Sequence, residues 1–230
     1  MTKIFCDIAD IKYIKKFNKK KIVKGFTTNP SLMRKAGAKD YLKYSKSLLN
    51  ITKLPVSFEV FADNPSDMIK QGIKINKLGK NVYVKVPVIN SKGNFMGKVI
   101  RELNKKKIKL NITAVYSHRH TKKILQNIDK KTKVIISIFA GRMGDTGKDP
   151  IPEFLKSIKM SKKYRNVEIL WASTREPYNL TQAKQVGCDI ITVPPVIIEK
   201  IEKFGKSFND LTVETVNGFL VDAKKSKFNI

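Results

Sequence analysis

Lys85 lies in the run Asn81-Val82-Tyr83-Val84-Lys85-Val86-Pro87, where valine recurs at every second position. Glu59 lies in Val56-Ser57-Phe58-Glu59-Val60, and Asp7 in Ile4-Phe5-Cys6-Asp7-Ile8. Asn111 and Thr113 alternate with Leu110 and Ile112, and Ser137 and Phe139 alternate with Ile136 and Ile138. Extended chain sends successive side chains to opposite faces. The aliphatic residues of each run therefore share one face, and the lysine, carboxylates, amide and hydroxyls share the other. An amine in such company suits a definite reaction. In its neutral form it attacks a carbonyl and forms a Schiff base. The iminium then draws electrons from the adjacent carbon–carbon bond, which can break or form. Burial disfavours a charged amine, whereas nearby carboxylates favour it. This chemistry needs no metal and no other cofactor, and none is expected. His118 and His120 are the only histidines, and the acidic residues show no ligand spacing.

Eight strand-like runs are available to position these residues: Ile4–Ile8, Gly25–Thr28, Pro55–Phe61, Asn81–Pro87, Lys109–Thr113, Val134–Phe139, Glu168–Ala172 and Asp189–Val193. Helix-period stretches separate them, among them Asp40–Leu49, Ser66–Leu78 after the Asn64-Pro65 start signal, and Gly97–Leu103. Eight alternating units in 230 residues predict an α/β fold, one (β/α)8 TIM barrel spanning residues 1–230. The competing doubly wound sheet usually carries a Gly-rich turn after its first strand, and this chain has none there. In a barrel the polar face looks inward, and the candidate residues fall at the C-terminal ends of their strands, where barrel enzymes keep their chemistry. Unpaired charges in a dry interior cost several kcal/mol. A Lys–Glu pair that merely satisfies itself is the alternative, but the polar row repeats on five strands. The segment 207–230 reads as a helical extension, with the extra helix over Asp210–Ile230. With its lead-in it carries Phe208, Leu211, Val213, Val216, Phe219, Leu220 and Val221, more apolar surface than a lone terminal helix should expose.

The formal net charge of +28 admits a nucleic-acid or anionic-surface binder. The basic residues are nearly all lysine and are spread along the whole chain, and arginine, the usual reader of bases and phosphates, is scarce. Nucleic acid is therefore not the expected partner. A solvated lysine surface is, and its field would still attract phosphorylated small molecules. No apolar run is long enough to span a bilayer, and the first residues lack a signal-peptide pattern. Cys6 and Cys188 sit in apolar runs and read as reduced, buried thiols. A cytoplasmic protein is expected.

The segments Phe5-Cys6-Asp7-Ile8-Ala9-Asp10, Thr27-Thr28-Asn29-Pro30-Ser31-Leu32, Val84-Lys85-Val86-Pro87, Asn111-Ile112-Thr113, Gly141-Arg142 and Ala172-Ser173-Thr174-Arg175 occur in this order. Together they resemble the transaldolase family, in particular its short-chain branch that includes fructose-6-phosphate aldolases. The resemblance runs from Ile4 to about Pro195. It implies that Lys85 is the Schiff-base lysine and that Asp7 takes the proton of the substrate's C4 hydroxyl. By the same resemblance Glu59 and Thr113 hold a proton-shuttling water, while Asn29, Asn111 and Ser137 bind the dihydroxyacetone unit. Arg142, Ser173 and Arg175 form the phosphate site, a role that also suits guanidinium groups on chemical grounds. Asn29 could instead serve as turn chemistry before a proline, and Ser173 and Arg175 could belong to an ordinary surface loop.

The aldolase branch carries Gln where Glu59 stands and Tyr where Phe139 stands, so the resemblance implies a transaldolase of the pentose phosphate pathway acting on sugar phosphates. An aldolase releasing free dihydroxyacetone is the alternative. Relatives in the short branch form rings whose tails pack on neighbours, which implies a homo-oligomer, with a decamer among the candidates. The chain departs from the family pattern at Val88–Gly93, at Tyr116–His120 and at Val196.

Overall fold

The computed structural model describes residues 1–227. Eight parallel strands close into a barrel in sequential order: β1 (Lys3–Asp7), β2 (Val23–Thr27), β3 (Val56–Glu59), β4 (Val82–Pro87), β5 (Leu110–Val115), β6 (Val134–Phe139), β7 (Val167–Ala172) and β8 (Ile190–Val193). The first strand pairs with the eighth, Ile4 beside Ile191, so no strand edge remains open. Between strands run α1 (Ile11–Asn18), α2 (Pro30–Lys35), α3 (Tyr41–Leu49), α4 (Pro65–Asn76), α5 (Gly97–Lys105), α6 (His118–Leu125), α7 (Ala140–Gly144), α8 (Ile151–Ser161) and α9 (Asn179–Gln185). After β8 come α10 (Pro195–Ile201) and α11 (Phe208–Ser226). The expected (β/α)8 barrel with an extra C-terminal helix is the observed architecture. β3 ends at Glu59, two residues earlier than Phe61, and β5 runs on to Val115 through Ala114 at φ 58°.

The two faces of the strands make two separate apolar clusters. Cys6, Phe26, Phe58, Val84, Ile112, Ile138 and Trp171 belong to the large cluster that includes helix residues such as Ile14, Phe17, Leu48 and Phe154. Each such side chain, fully buried, contributes about 1.5–3 kcal/mol relative to exposure. Phe5, Tyr83, Ile135, Leu170 and Ile190 form the small cluster that floors the interior. Gly25 pairs with Phe5 across β1 and β2. A Cβ there would lie 2.6 Å from the Phe5 ring, so glycine leaves room for the floor to close. Below the floor Lys109 Nζ lies 5.1 Å from the Tyr83 ring centre, and Lys3 pairs with Glu168. The polar row stands above the floor, at the C-terminal strand ends. Asp10, Asn29, Asp40, Asn64 and Ser117 cap the helices that follow, each accepting from a backbone N–H of the first turn.

α11 opens with a capping box between Ser207 and Asp210. The expected helix over Asp210–Ile230 thus begins two residues earlier, and residues 228–230 lie outside the described residues. No residue of α11 is buried: Phe208 is 89 % and Phe219 69 % exposed. The helix is not folded back on its own barrel, and its apolar side chains stand exposed. Removing residues 207–230 is expected to leave the barrel's circular dichroism and melting transition intact and to lower the mass measured by light scattering. An unchanged mass would exclude α11 from assembly.

Candidate active site

The parallel register sets Glu59 beside Lys85, Lys85 beside Asn111, and Asp7 beside Thr27. Lys85 is buried. Its Nζ lies 3.2 Å from Glu59 Oε2 and donates to the Thr28 carbonyl at 3.1 Å. Asp7 Oδ1 accepts from Thr27 Oγ1 at 2.7 Å, and Thr27 Oγ1 lies 2.5 Å from Thr192 Oγ1. Since the Thr27 proton goes to Asp7, Thr192 is the donor of the second bond. Burial pushes the Asp7 carboxyl above the usual carboxylate range, opposed in part by the Lys85 charge and the Thr27 bond.

Asn111 is fully buried. Its Nδ2 donates to Ser57 Oγ at 3.0 Å, and its Oδ1 accepts from Ser137 Oγ at 2.7 Å. Thr113 Oγ1 is buried and has no hydrogen-bond partner among the described residues. A buried hydroxyl without a partner is costly, so this one is suited to a group that enters the site. Asn29 combines both readings of the sequence: its Oδ1 accepts from Leu32 N at 2.9 Å as a helix cap, and the residue lines the cavity.

A cavity of about 320 Å³ opens above the row, within the range of small-ligand sites. Asp7, Asn29, Lys85, Thr113, Ser137, Phe139, Arg142, Ser173 and Arg175 all line it. Glu59 and Asn111 do not. Glu59 instead contacts Lys85, and the Asn111 amide is engaged by Ser57 and Ser137. Asn111 thus stands directly behind Ser137, one hydrogen bond from the cavity lining.

At the mouth, Phe139 packs against Tyr116 with ring centres 5.9 Å apart, and the Arg142 guanidinium lies 5.8 Å from the Phe139 ring centre. Arg175 is forked by Asp145, with Nε to Oδ1 at 2.9 Å and Nη2 to Oδ2 at 2.5 Å. These bonds hold the Asp145 carboxyl below its usual range. They engage one edge of the guanidinium, and Nη1 donates to the Ser173 carbonyl at 3.3 Å. Ser173 adopts φ 63°, a strained conformation for a residue with a Cβ. Its carbonyl presses on Gly141, where a Cβ would lie 1.6 Å from that oxygen. Glycine at 141 thus lets α7, with Arg142 and Asp145, meet the Ser173–Arg175 turn.

Thr27, Thr192 and Asp145 were not among the expected site residues. Thr27 lies two residues beyond Gly25 on the inward face, so strand alternation could have found it. Asp145 reaches Arg175 from 30 positions away, and no local pattern marks it. Among the departures, Asp63 accepts from Ser91 N and Ser91 Oγ in the Val88–Gly93 loop, and Val196 is exposed.

Among the described residues no helix is long and apolar enough to cross a membrane, and no three His, Cys, Asp or Glu residues converge as a metal site would require. A solved orotidine 5′-monophosphate decarboxylase from Metallosphaera sedula superposes with a TM-score of 0.58 at 13 % identity, covering 88 % of this chain and 96 % of that one. At that identity it speaks for the fold alone. A sequence of Methanococcus vannielii named "probable transaldolase" is 33 % identical over 221 residues, 96 % of each chain. One from Nitrosopumilus maritimus with the same name is 33 % identical over 229 residues, 98 % of this chain and 96 % of that one. The profile of the transaldolase/fructose-6-phosphate aldolase family matches residues 4–230. The chain belongs to the transaldolase/fructose-6-phosphate aldolase family.

Proposed function

We propose that the chain is a transaldolase of the pentose phosphate pathway. It moves a dihydroxyacetone unit from sedoheptulose 7-phosphate or fructose 6-phosphate to glyceraldehyde 3-phosphate or erythrose 4-phosphate. The observation that carries this reading is a buried lysine, in contact with a glutamate, lining a cavity whose mouth holds two arginines. Lys85 passes a proton to Glu59 and attacks the ketose C2 carbonyl. Glu59 and the Thr113 hydroxyl flank the forming carbinolamine and carry its protons as water leaves. Asp7 takes the proton of the C4 hydroxyl. The C3–C4 bond breaks, C4 leaves as an aldehyde, and the electron pair rests in an enamine on Lys85. The enamine carbon then attacks the acceptor aldehyde, Asp7 returns the proton to the new hydroxyl, and water releases the product. A carboxyl raised above its usual range by burial suits this two-way transfer. Arg142, Ser173 and Arg175 hold the phosphate of either sugar.

Borohydride added with fructose 6-phosphate is expected to fix a secondary amine on Lys85, found by peptide mapping. A label elsewhere, or none, removes the proposal's foundation. Lys85→Met roughly keeps the volume of the stem and is expected to abolish turnover with the fold retained.

The direction of the Asp7 shift gives a second test. A carboxyl raised by folding favours the native state while protonated, and that contribution is lost as pH rises through the folded-state value. Above that value the ionised, buried group costs stability. Asp7→Asn is expected to raise Tm at pH 7, by about 2–4 °C per kcal/mol recovered, with the gain shrinking in acid. The same variant should lose about 10²–10⁴-fold in kcat, the usual contribution of a positioned acid–base group. A lower Tm would contradict the cost assigned to burial.

Phe139 governs what becomes of the enamine. Protonation at carbon would end the cycle as an aldolase, and Phe139, which lines the cavity, has no proton to give. Phe139→Tyr is expected to raise the release of free dihydroxyacetone from fructose 6-phosphate and to lower transfer to erythrose 4-phosphate. If the unaltered enzyme releases dihydroxyacetone as fast as it transfers it, the aldolase reading replaces this one.

A further inference from the structure

The β2–β3 ladder is interrupted where Lys85 is held. In parallel pairing, a residue's N–H and C=O point to the same neighbour, and the bonds run in steps of two. Phe26 N donates to the Pro55 carbonyl and Thr28 N to the Ser57 carbonyl. The next step would send Glu59 N–H to the Thr28 carbonyl. Instead Glu59 N–H donates to the Tyr41 hydroxyl at 2.8 Å, and that hydroxyl donates to the Glu59 carbonyl at 2.9 Å. The Thr28 carbonyl accepts from Lys85 Nζ. Tyr41 is the first residue of α3, whose start is fixed by the Asp40 cap, and its ring meets Phe61 edge-on at 5.3 Å between centres.

We infer that Tyr41 is a positioning residue for the nucleophile. Its hydroxyl takes over both main-chain groups of Glu59 that face β2, and so does two things at once. It pins the strand end that aims the Glu59 carboxylate at Lys85, and it frees the Thr28 carbonyl to hold the Lys85 amine. Without the hydroxyl, Glu59 N–H closes the ladder on Thr28, because a buried backbone donor seeks a partner. Lys85 then shares or loses one of its two acceptors, and its amine leaves the attacking position. Misplacement by about 1 Å at a reacting centre can cost on the order of 10²-fold in rate.

This inference rests on the Schiff-base reading, and the test separates the two. Tyr41→Phe keeps the ring and its packing on Phe61 and removes only the hydroxyl. Two rates are measured on the full chain. One is borohydride labelling of Lys85 with dihydroxyacetone, which carries no phosphate. The other is turnover of fructose 6-phosphate with erythrose 4-phosphate. Labelling and kcat are expected to fall together by at least about 10-fold. KM for fructose 6-phosphate should stay within about 2-fold, because Arg142, Ser173 and Arg175 lie away from the substitution. Tyr41→Leu, which also removes the ring's hold, should lose labelling to at least the same degree whatever its Tm. If Tyr41→Phe lowers Tm but leaves labelling unchanged, the hydroxyl is structural and the inference is overturned. A change in KM with kcat intact overturns it as well. If the unaltered chain is not labelled at Lys85 at all, the Schiff-base reading itself fails.

Discussion

Lys85 and Glu59 face each other at 3.2 Å inside a closed ring of strands, and most of the architecture follows from keeping them there. Removing one member of a buried pair typically costs about 3–5 kcal/mol, because the other charge is stranded. The pair is set by the register of two neighbouring strands, Glu59 beside Lys85. A slip of one residue in either strand would turn its member of the pair into the helix-facing layer. Register must therefore be fixed from both faces. Outside, Phe58, Val84 and Ile112 lock into the helices. Inside, the floor of Phe5, Tyr83, Ile135, Leu170 and Ile190 fills the lower barrel. That floor separates the polar row at the upper end from Lys109 and the Lys3–Glu168 pair below it.

Polar groups above the floor are satisfied in short chains. Thr192 gives its proton to Thr27 and Thr27 to Asp7, while Ser137 and Ser57 engage Asn111 from two sides. Each chain crosses neighbouring strands, so it stiffens the ring as it orients the site. Two groups stand apart. Thr113 Oγ1 is buried without a partner, and Asp7 remains a carboxyl that burial penalises. Both stand at points where the proposed reaction moves protons, in keeping with the tendency of active sites to hold groups that folding alone would not choose.

Strand alternation and helix capping were legible in the sequence because both are local. Val82, Val84 and Val86 declare one face of β4, and Asp40 or Asn64 declares the start of a helix. The inward positions of Lys85, Glu59, Asp7, Thr113 and Ser137 follow from the same rule. What alternation does not encode is which of two inward residues reaches the cavity and which supports it. Asn111 shares the face of Ser137 yet spends its amide on two serines. Contacts between distant loops were equally hidden. Asp145 on Arg175, Gly141 against the Ser173 carbonyl, and the Tyr41 hydroxyl on Glu59 arise only once the barrel closes. The end of β3 at Glu59 also depends on such a contact, because its apolar run continues to Phe61 in the sequence while β2 has already turned away into α2.

The fork between Asp145 and Arg175 also alters the balance of charge. With all groups ionised, Lys85, Arg142 and Arg175 are matched one for one by Asp7, Glu59 and Asp145, so the site has no surplus of its own. The excess of +28 belongs to the barrel's surface, since Asp210, Glu214 and Asp222 in the tail balance Lys224, Lys225 and Lys227. In the proposed function, capture of an anionic substrate and chemistry upon it are thus assigned to different charges. The first set faces solvent, where the screening length is about 8 Å at physiological ionic strength. Of the second, Lys85, Asp7 and Glu59 lie within the barrel, and Arg142, Arg175 and Asp145 stand exposed at its mouth. In the proposed reaction, arrival of the anionic substrate would therefore be the salt-sensitive stage, and the proton transfers around Lys85 would be shielded from it.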